Sequence, residues 1–222
     1  MSPETTLKNG ANSEKPNEYE KLKKNNMKTI FFESNNYFID EKVNFLKFEN
    51  CYQIYNEKGE NIGAIKQKLS VGQKILRLLL KKAMLPFLLE IKNSDDQLEA
   101  SISRGWTFFM SKITVKNAQG NIIGTIKQKF KLFKPTFKIF NPSEVLIAEI
   151  NGDWKAWNFK IIDASNNQIG TISKKWAGAM QEIFTSADKY NVNIESNYSN
   201  MENKIAILSG AITIDMVLKE SK

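Results

Sequence analysis

One short pattern occurs five times in this 222-residue chain, and it constrains the fold more than any other feature. An Asn or Asp is followed seven positions later by Gly or Ala and nine positions later by Ile. The copies are Asn56/Gly63/Ile65, Asn93/Ala100/Ile102, Asn117/Gly124/Ile126, Asn141/Ala148/Ile150 and Asp163/Gly170/Ile172. Asn and Asp favour the first position of a type I turn, and the residues that follow alternate between apolar and polar. The pattern therefore predicts five β-hairpins.

The turns of these hairpins require one residue in the left-handed conformation, three positions after each Asn or Asp. Those positions hold Gly59, Asp96, Gly120, Glu144 and Asn166. Glu suits this conformation poorly, and Pro142 precedes it, so we expect the fourth turn to be built differently. Five hairpins supply ten strands, and we expect residues 29–32 and 37–48 to add one or two more.

The chain contains no histidine and one cysteine, Cys51. Histidine is the usual general base and the commonest metal ligand, so its absence excludes catalytic triads and His-based zinc sites. No phosphate-binding Gly motif is present either. We therefore predict that the protein is not an enzyme and has no cofactor.

The N-terminal residues 1–27 are polar and lack an apolar run. We expect them to form a disordered tail and not a signal peptide. With a single cysteine, which permits no internal disulfide, this predicts a cytoplasmic protein, peripheral on the inner face of a membrane if it binds one.

The segment 205–218 is apolar apart from Ser209, Thr213 and Asp215. A helix that is apolar on nearly every side should be buried, yet a bilayer span needs about 20 residues. Burying Asp215 in lipid would also cost about 2.5–3.5 kcal/mol. A barrel of about twelve strands is too wide for side chains alone to fill. We therefore predict a mainly β fold, a closed antiparallel barrel over residues 28–220 around a buried helix near residues 203–219.

Two motifs resemble the phospholipid scramblase family: Ile-Gly-x-Ile-x-Lys-x-Trp at residues 169–176 and Ile-Asp-Met at residues 214–216. The resemblance extends over roughly residues 35–220 and includes the LURP-one-related proteins. It implies the tubby C-terminal fold, which is a twelve-stranded barrel around a central helix. It also implies phospholipid binding, with transbilayer phospholipid movement as the activity of the family.

The calcium segment proposed for that family corresponds to residues 184–188, where Ser186 replaces an acid. Calcium takes six to eight oxygen ligands and favours several negative charges. Asp188, Asn191, Asn193 and Glu195 are weak candidates, and the alternative is a polar loop. We expect no metal site.

Two groups of basic residues are candidate membrane contacts in a chain whose net charge is +8. The first follows the first and third hairpins, where alternation places lysines on one strand face: Lys66, Lys68, Lys127, Lys129 and Lys131. The resemblance implies that such a face binds phosphoinositide headgroups, and a solvated outer surface is the alternative. The second would form the basic edge of an amphipathic helix over residues 71–82: Lys74, Arg77, Lys81 and Lys82. The alternative for that helix is a crossover that caps the barrel.

We predict a protein that binds anionic phospholipid or phosphoinositide headgroups at a membrane surface. One alternative is a cytosolic regulatory module that binds a protein partner and has no lipid activity. Another is a nucleic-acid-binding module in which Phe130 or Phe133 stacks on bases. We do not favour it, because strand alternation turns these rings away from the lysine face.

Overall fold

A computed structural model describes residues 30–44, 49–73, 85–106, 112–129, 136–153, 155–174, 189–196, 198 and 200–220. At residues 30, 41–44, 49–50, 129 and 218–220 it describes the backbone alone. The predicted N-terminal tail, residues 1–27, lies outside these ranges.

The described elements are twelve strands between a short helix and a long one. Helix α1 is Ile30–Glu33, followed by β1 Asn36–Asn44, β2 Glu49–Tyr55, β3 Asn61–Lys68, β4 Phe87–Asn93, β5 Leu98–Arg104, β6 Lys112–Asn117, β7 Ile122–Lys129, β8 Thr136–Phe140, β9 Leu146–Asp153, β10 Asn158–Asp163, β11 Gln168–Ser173, β12 Lys189–Ile194 and helix α2 Met201–Glu220.

The strands form a closed barrel in which each pairs antiparallel with its neighbours in the chain, and β1 pairs with β12 to complete the ring. The closed antiparallel barrel of twelve strands predicted from the sequence is therefore confirmed. Up-and-down connectivity places the five predicted hairpin turns at one end, which we call the hairpin end. The other ends of the strands, beginning with the last residue of β1 and the first residue of β2, form the opposite end of the barrel, which we call the distal end.

All five turns have the same backbone hydrogen bonds. In the first turn, Gly59 N–H donates to Asn56 O at 3.0 Å, and Asn56 N–H donates to Glu60 O at 3.0 Å. The Asn56 side-chain oxygen accepts from two backbone N–H groups of the turn, those of Lys58 and Glu60, both at 3.0 Å. This is the physical reason why an Asn or Asp opens every copy of the repeat.

The expectation that the fourth turn differs is wrong. Glu144 takes a φ of 58°, close to the 60° of Asp96 in the second turn. Its N–H donates to Asn141 O at 3.0 Å, as in the other four turns. Pro142 follows Asn141 at a position that needs no N–H donor, so the turn accommodates both residues.

The expectation of a strand at residues 29–32 is also wrong for the part that the structure describes. Residues 30–33 form α1, and the neighbouring side chains of Phe31 and Phe32 are both buried. A strand would send consecutive side chains to opposite faces, so two adjacent core aromatics favour a helical turn. Their rings meet edge to face with centroids 4.7 Å apart.

Helix α2 is enclosed by the barrel, as the sequence predicts. Every residue from position 204 to position 217 is buried, so no face of this stretch meets solvent. The sheet approaches the helix closely at glycines: a Cβ placed on Gly124 of β7 would lie 2.9 Å from the Cβ of Ala206. A Cβ on Gly210 would lie 2.8 Å from Cδ1 of Ile139. Small residues thus let helix and sheet pack without a gap.

Candidate functional site

The predicted lysine face is divided between two separate parts of the barrel. Lys66 and Lys68 lie on β3, whereas Lys127 and Lys129 lie on β7. Strands β4, β5 and β6 lie between them, so the structure does not bring the four residues together. Lys131 is outside the described residues, and only the backbone of Lys129 is described.

The lysines on β3 are paired with carboxylates. Lys66 Nζ lies 2.6 Å from Oδ1 of Asp96, and Lys68 Nζ lies 3.1 Å from Oε1 of Glu90. The hydrogen bonds from Lys66 and Lys92 lower the pKa of Asp96 to about 2. These ammonium groups already have anionic partners, and a lipid headgroup would have to replace them.

On β7, Lys127 is the centre of a row that crosses three neighbouring strands. The strand register places it opposite Lys112 of β6 on one side and Lys138 of β8 on the other. We call Lys112, Lys127 and Lys138 the lysine row. The Lys127 ammonium also lies 4.5 Å from the centre of the Phe140 ring. The sequence prediction missed Lys112 and Lys138, because their meeting with Lys127 depends on the pairing register.

Two glutamates partially balance the lysine row. Glu144 pairs with Lys127 and, at 3.8 Å, with Lys112, while Glu149 pairs with Lys138 at 3.1 Å. The hydrogen bond from Lys127 lowers the pKa of Glu144. Because exposed ion pairs are weak in water, an incoming anion can displace Glu144.

The predicted interface helix is described only at its start. Ser70 N–H donates to the Gln73 side-chain oxygen at 2.9 Å, and Gln73 N–H donates to Ser70 Oγ at 3.2 Å. This reciprocal pair is a capping box, which opens a helix at Val71. The basic residues of the prediction, Lys74, Arg77, Lys81 and Lys82, lie outside the described residues.

The weak calcium candidates are spread along β12 and the link after it. Asn193 donates from Nδ2 to Oδ1 of Asn36 at 2.7 Å, which occupies that amide in a strand-to-strand contact. Glu195 is exposed in the link, and Asp188 is outside the described residues. Within the described ranges, no three His, Cys, Asp or Glu residues cluster as metal ligands would.

None of the helices that the structure describes has both the length and the apolar character that a membrane crossing requires.

A closed twelve-stranded antiparallel barrel around a buried helix places the chain in the tubby-like class of folds that the resemblance implies. The chain belongs to the Scramblase family, whose model matches residues 15–221. This confirms the family resemblance read from the motifs.

Similar proteins come from several organisms. A phospholipid scramblase family protein of Schizosaccharomyces pombe is 22% identical over 79% of this chain and 50% of its own length. Phospholipid scramblase family member 5 of Homo sapiens is 24% identical over 50% of this chain and 44% of its own length. Altered inheritance rate of mitochondria protein 25 of Saccharomyces cerevisiae is 22% identical over 77% of this chain and 61% of its own length. The chain therefore spans less than two thirds of the length of each of these relatives.

A solved structure of a protein from Arabidopsis thaliana is also similar, with a TM-score of 0.49 and 7% identity. The match covers 85% of this chain and 94% of that chain.

Proposed function

We propose that this protein binds anionic phospholipid at a membrane surface without catalysing a reaction on it. The observation that carries the proposal is the lysine row, in which three neighbouring strands present ammonium groups on one outer face. The row and its two glutamate partners together hold one excess positive charge. Family membership supports phospholipid as the anion.

The exchange of partners at Lys127 is the central step of the proposal. Glu144 holds Lys127 and Lys112 by exposed ion pairs, which are weak in water. A phosphate or carboxylate headgroup replaces Glu144 and places its charge between the same two lysines. Near an anionic bilayer each such lysine contributes about 1 kcal/mol to attraction.

Vesicle flotation tests the proposal. We expect the protein to float with vesicles of phosphatidylcholine and phosphatidylserine and to remain unbound with phosphatidylcholine alone. The variant Lys127→Glu/Lys129→Glu should lose most of the binding. The matched control is Lys58→Glu/Lys160→Glu, which makes the same change in net charge at exposed positions elsewhere. Equal loss in both variants would mean that net charge, and not the lysine row, determines binding.

A second variant tests the partner exchange in the opposite direction. Glu144→Gln releases Lys127 and Lys112 from their carboxylate, so it should strengthen binding to phosphatidylserine vesicles. Asp96→Asn releases Lys66 and Lys92 on a different part of the barrel and serves as the comparison. A gain for Asp96→Asn without a gain for Glu144→Gln would move the headgroup site to β3.

A further inference from the structure

The two ends of the barrel differ in charge, and the difference is visible in the described residues. Apart from Glu144, which reaches the lysine row, the hairpin turns and the link from β12 to α2 expose five carboxylates and one lysine: Glu57, Glu60, Asp95, Asp96, Glu195 and Lys58. An anionic bilayer repels exposed carboxylates, which makes the hairpin end unsuitable as a membrane contact.

Lysines mark the distal ends of several strands. Lys68 is the last residue of β3, Lys112 is the first residue of β6, and Lys129 is the last residue of β7. The structure also describes an exposed Lys155 beyond β9, a half-buried Lys174 beyond β11 and one exposed acid, Asp153, at the end of β9. Among the described residues, the distal end therefore carries mainly cations and the hairpin end mainly carboxylates.

The distal end also carries exposed apolar side chains on three neighbouring strands. We call them the apolar rim: Val71 just beyond β3, Leu88 near the start of β4 and Trp106 just beyond β5. Their exposed fractions are 76%, 37% and 54%. By strand register Leu88 lies between Lys68 and Ser103, so the rim adjoins a cation.

A second aromatic group lies at the same end of the barrel. Trp157, in the turn between β9 and β10, is half-buried, and the Lys174 ammonium lies 4.8 Å from its ring centre. Tryptophan with lysine is the combination that favours the headgroup region of a bilayer, where the ring meets the acyl boundary and the ammonium meets phosphate.

We infer that the distal end, led by the apolar rim, enters the interface of an anionic bilayer while the hairpin end faces the aqueous phase. This inference rests on the proposed function and adds an orientation to it. Exposed apolar residues alone do not decide the orientation, because Ile122 and Val145 are 51% and 58% exposed at the hairpin end. The charge of the two ends decides it.

Exposed apolar positions at the two ends provide a test by site-specific labelling. Val71→Cys and Ile122→Cys, each in a Cys51→Ser background, are labelled with a polarity-sensitive fluorophore. On adding phosphatidylcholine/phosphatidylserine vesicles, we expect a blue shift and an intensity gain at position 71 and no change at position 122. A shift at position 122, or none at position 71 while the protein floats, would overturn the orientation.

Paired substitutions give a second readout by flotation on the same vesicles. Val71→Asp/Trp106→Asp should weaken binding by about ten-fold or more, because the apolar surface no longer enters the interface. Ile122→Asp/Met201→Asp, at exposed positions of the hairpin end, should bind like the original chain. If the unaltered protein does not float at all, the proposed function itself fails. If it floats and the two double variants are equally affected, only the orientation fails.

Discussion

Glu144 holds a backbone conformation that is unfavourable for a residue with a Cβ. Its φ of 58° matches the left-handed positions that Gly59 and Gly120 occupy in other turns of the repeat. A side chain in this region costs roughly 1 kcal/mol relative to glycine. The turn forms nonetheless, because the Asn141 side chain accepts a hydrogen bond from Val145 N–H at 2.9 Å and the flanking strands are paired.

Two substitutions with opposite expected effects on stability test the cost of a Cβ at a left-handed position. Glu144→Gly should raise the free energy of unfolding by about 0.5–1 kcal/mol, since exposed ion pairs to Glu144 contribute little. Gly120→Ala should lower the free energy of unfolding by about 1 kcal/mol, because its φ of 84° is unfavourable for a residue with a Cβ. No neighbouring atom lies within 4 Å of the added Cβ, so the backbone conformation alone sets this cost. Denaturant unfolding measures both. A loss of stability in Glu144→Gly would show that the lysine contacts outweigh the backbone strain.

Lys204 is a buried cation with a neutral hydrogen-bond partner. Its Nζ donates to Oδ1 of Asn35 at 3.0 Å. Burial lowers the pKa of Lys204, and the carboxylates of Glu33 and Glu57 offset part of this effect. In the window between this lowered pKa and the ordinary value of 10.5, the unfolded chain binds a proton that the folded chain has released. The contribution of Lys204 to stability should therefore rise with pH across this window.

The variant Lys204→Met isolates this contribution from that of the other lysines. We expect it to be more stable than the original chain near neutral pH, where the buried charge is unfavourable. The advantage should shrink as the pH rises through the lowered pKa of Lys204. Urea unfolding of both proteins at several pH values measures the difference in their free energies of unfolding. A difference that stays constant with pH would mean that the proton on Lys204 does not affect folding.

At the scale of the hairpin element, two of the three glycines of the repeat are explained by contact between strands. A Cβ on Gly170 of β11 would lie 2.3 Å from the backbone oxygen of Asn193 on β12. A Cβ on Gly63 of β3 would lie 2.2 Å from the backbone oxygen of Lys92 on β4. Backbone atoms of paired strands cannot move aside as flexible side chains do, so these positions require glycine.

Gly170→Ala should therefore be strongly destabilising. We expect a loss of about 2 kcal/mol or more, because β11 must move away from β12. Gly72→Ala is the matched control, since nothing lies within 4 Å of its added Cβ and φ is not left-handed. Thermal unfolding followed by circular dichroism compares the two. Similar melting temperatures for both variants would contradict the close approach of the strands.

Elements with local signals could be predicted from the sequence, and elements that depend on distant pairing could not. Each hairpin turn is specified by an Asn or Asp within a few residues, so all five were found. The lysine row was found only in part, because Lys112 and Lys138 meet Lys127 through the register of three strands. Residues that form helix α1 were predicted as a strand because a run of three apolar and aromatic residues is too short to show a helical period.

At the scale of the whole molecule, barrel and helix share one core. Buried strand side chains such as Ile139 and Ile150 contact α2 near Gly210, and the helix is covered on all sides from position 204 to position 217. The sequence predicted this enclosure by elimination, because the helix was too short for a bilayer and the barrel too wide to remain empty. Removing the fit between helix and sheet should therefore unfold both together.

Two single substitutions on α2, Ile207→Asp and Met201→Asp, test whether barrel and helix unfold together. Ile207→Asp places a carboxylate at a fully buried position, which should lower the free energy of unfolding by about 4 kcal/mol or more. That is a large part of the 5–15 kcal/mol typical of a whole domain. Met201→Asp makes the same kind of change at an exposed position in the first turn of the helix, where a negative charge is neutral or slightly stabilising.

Circular dichroism compares the two variants. In Ile207→Asp, the far-ultraviolet signal of the strands and the near-ultraviolet signal of the aromatic core should vanish at the same, much lower temperature. If the strand signal survives while the helix alone is lost, or if the two variants melt alike, the barrel does not depend on the helix that it encloses.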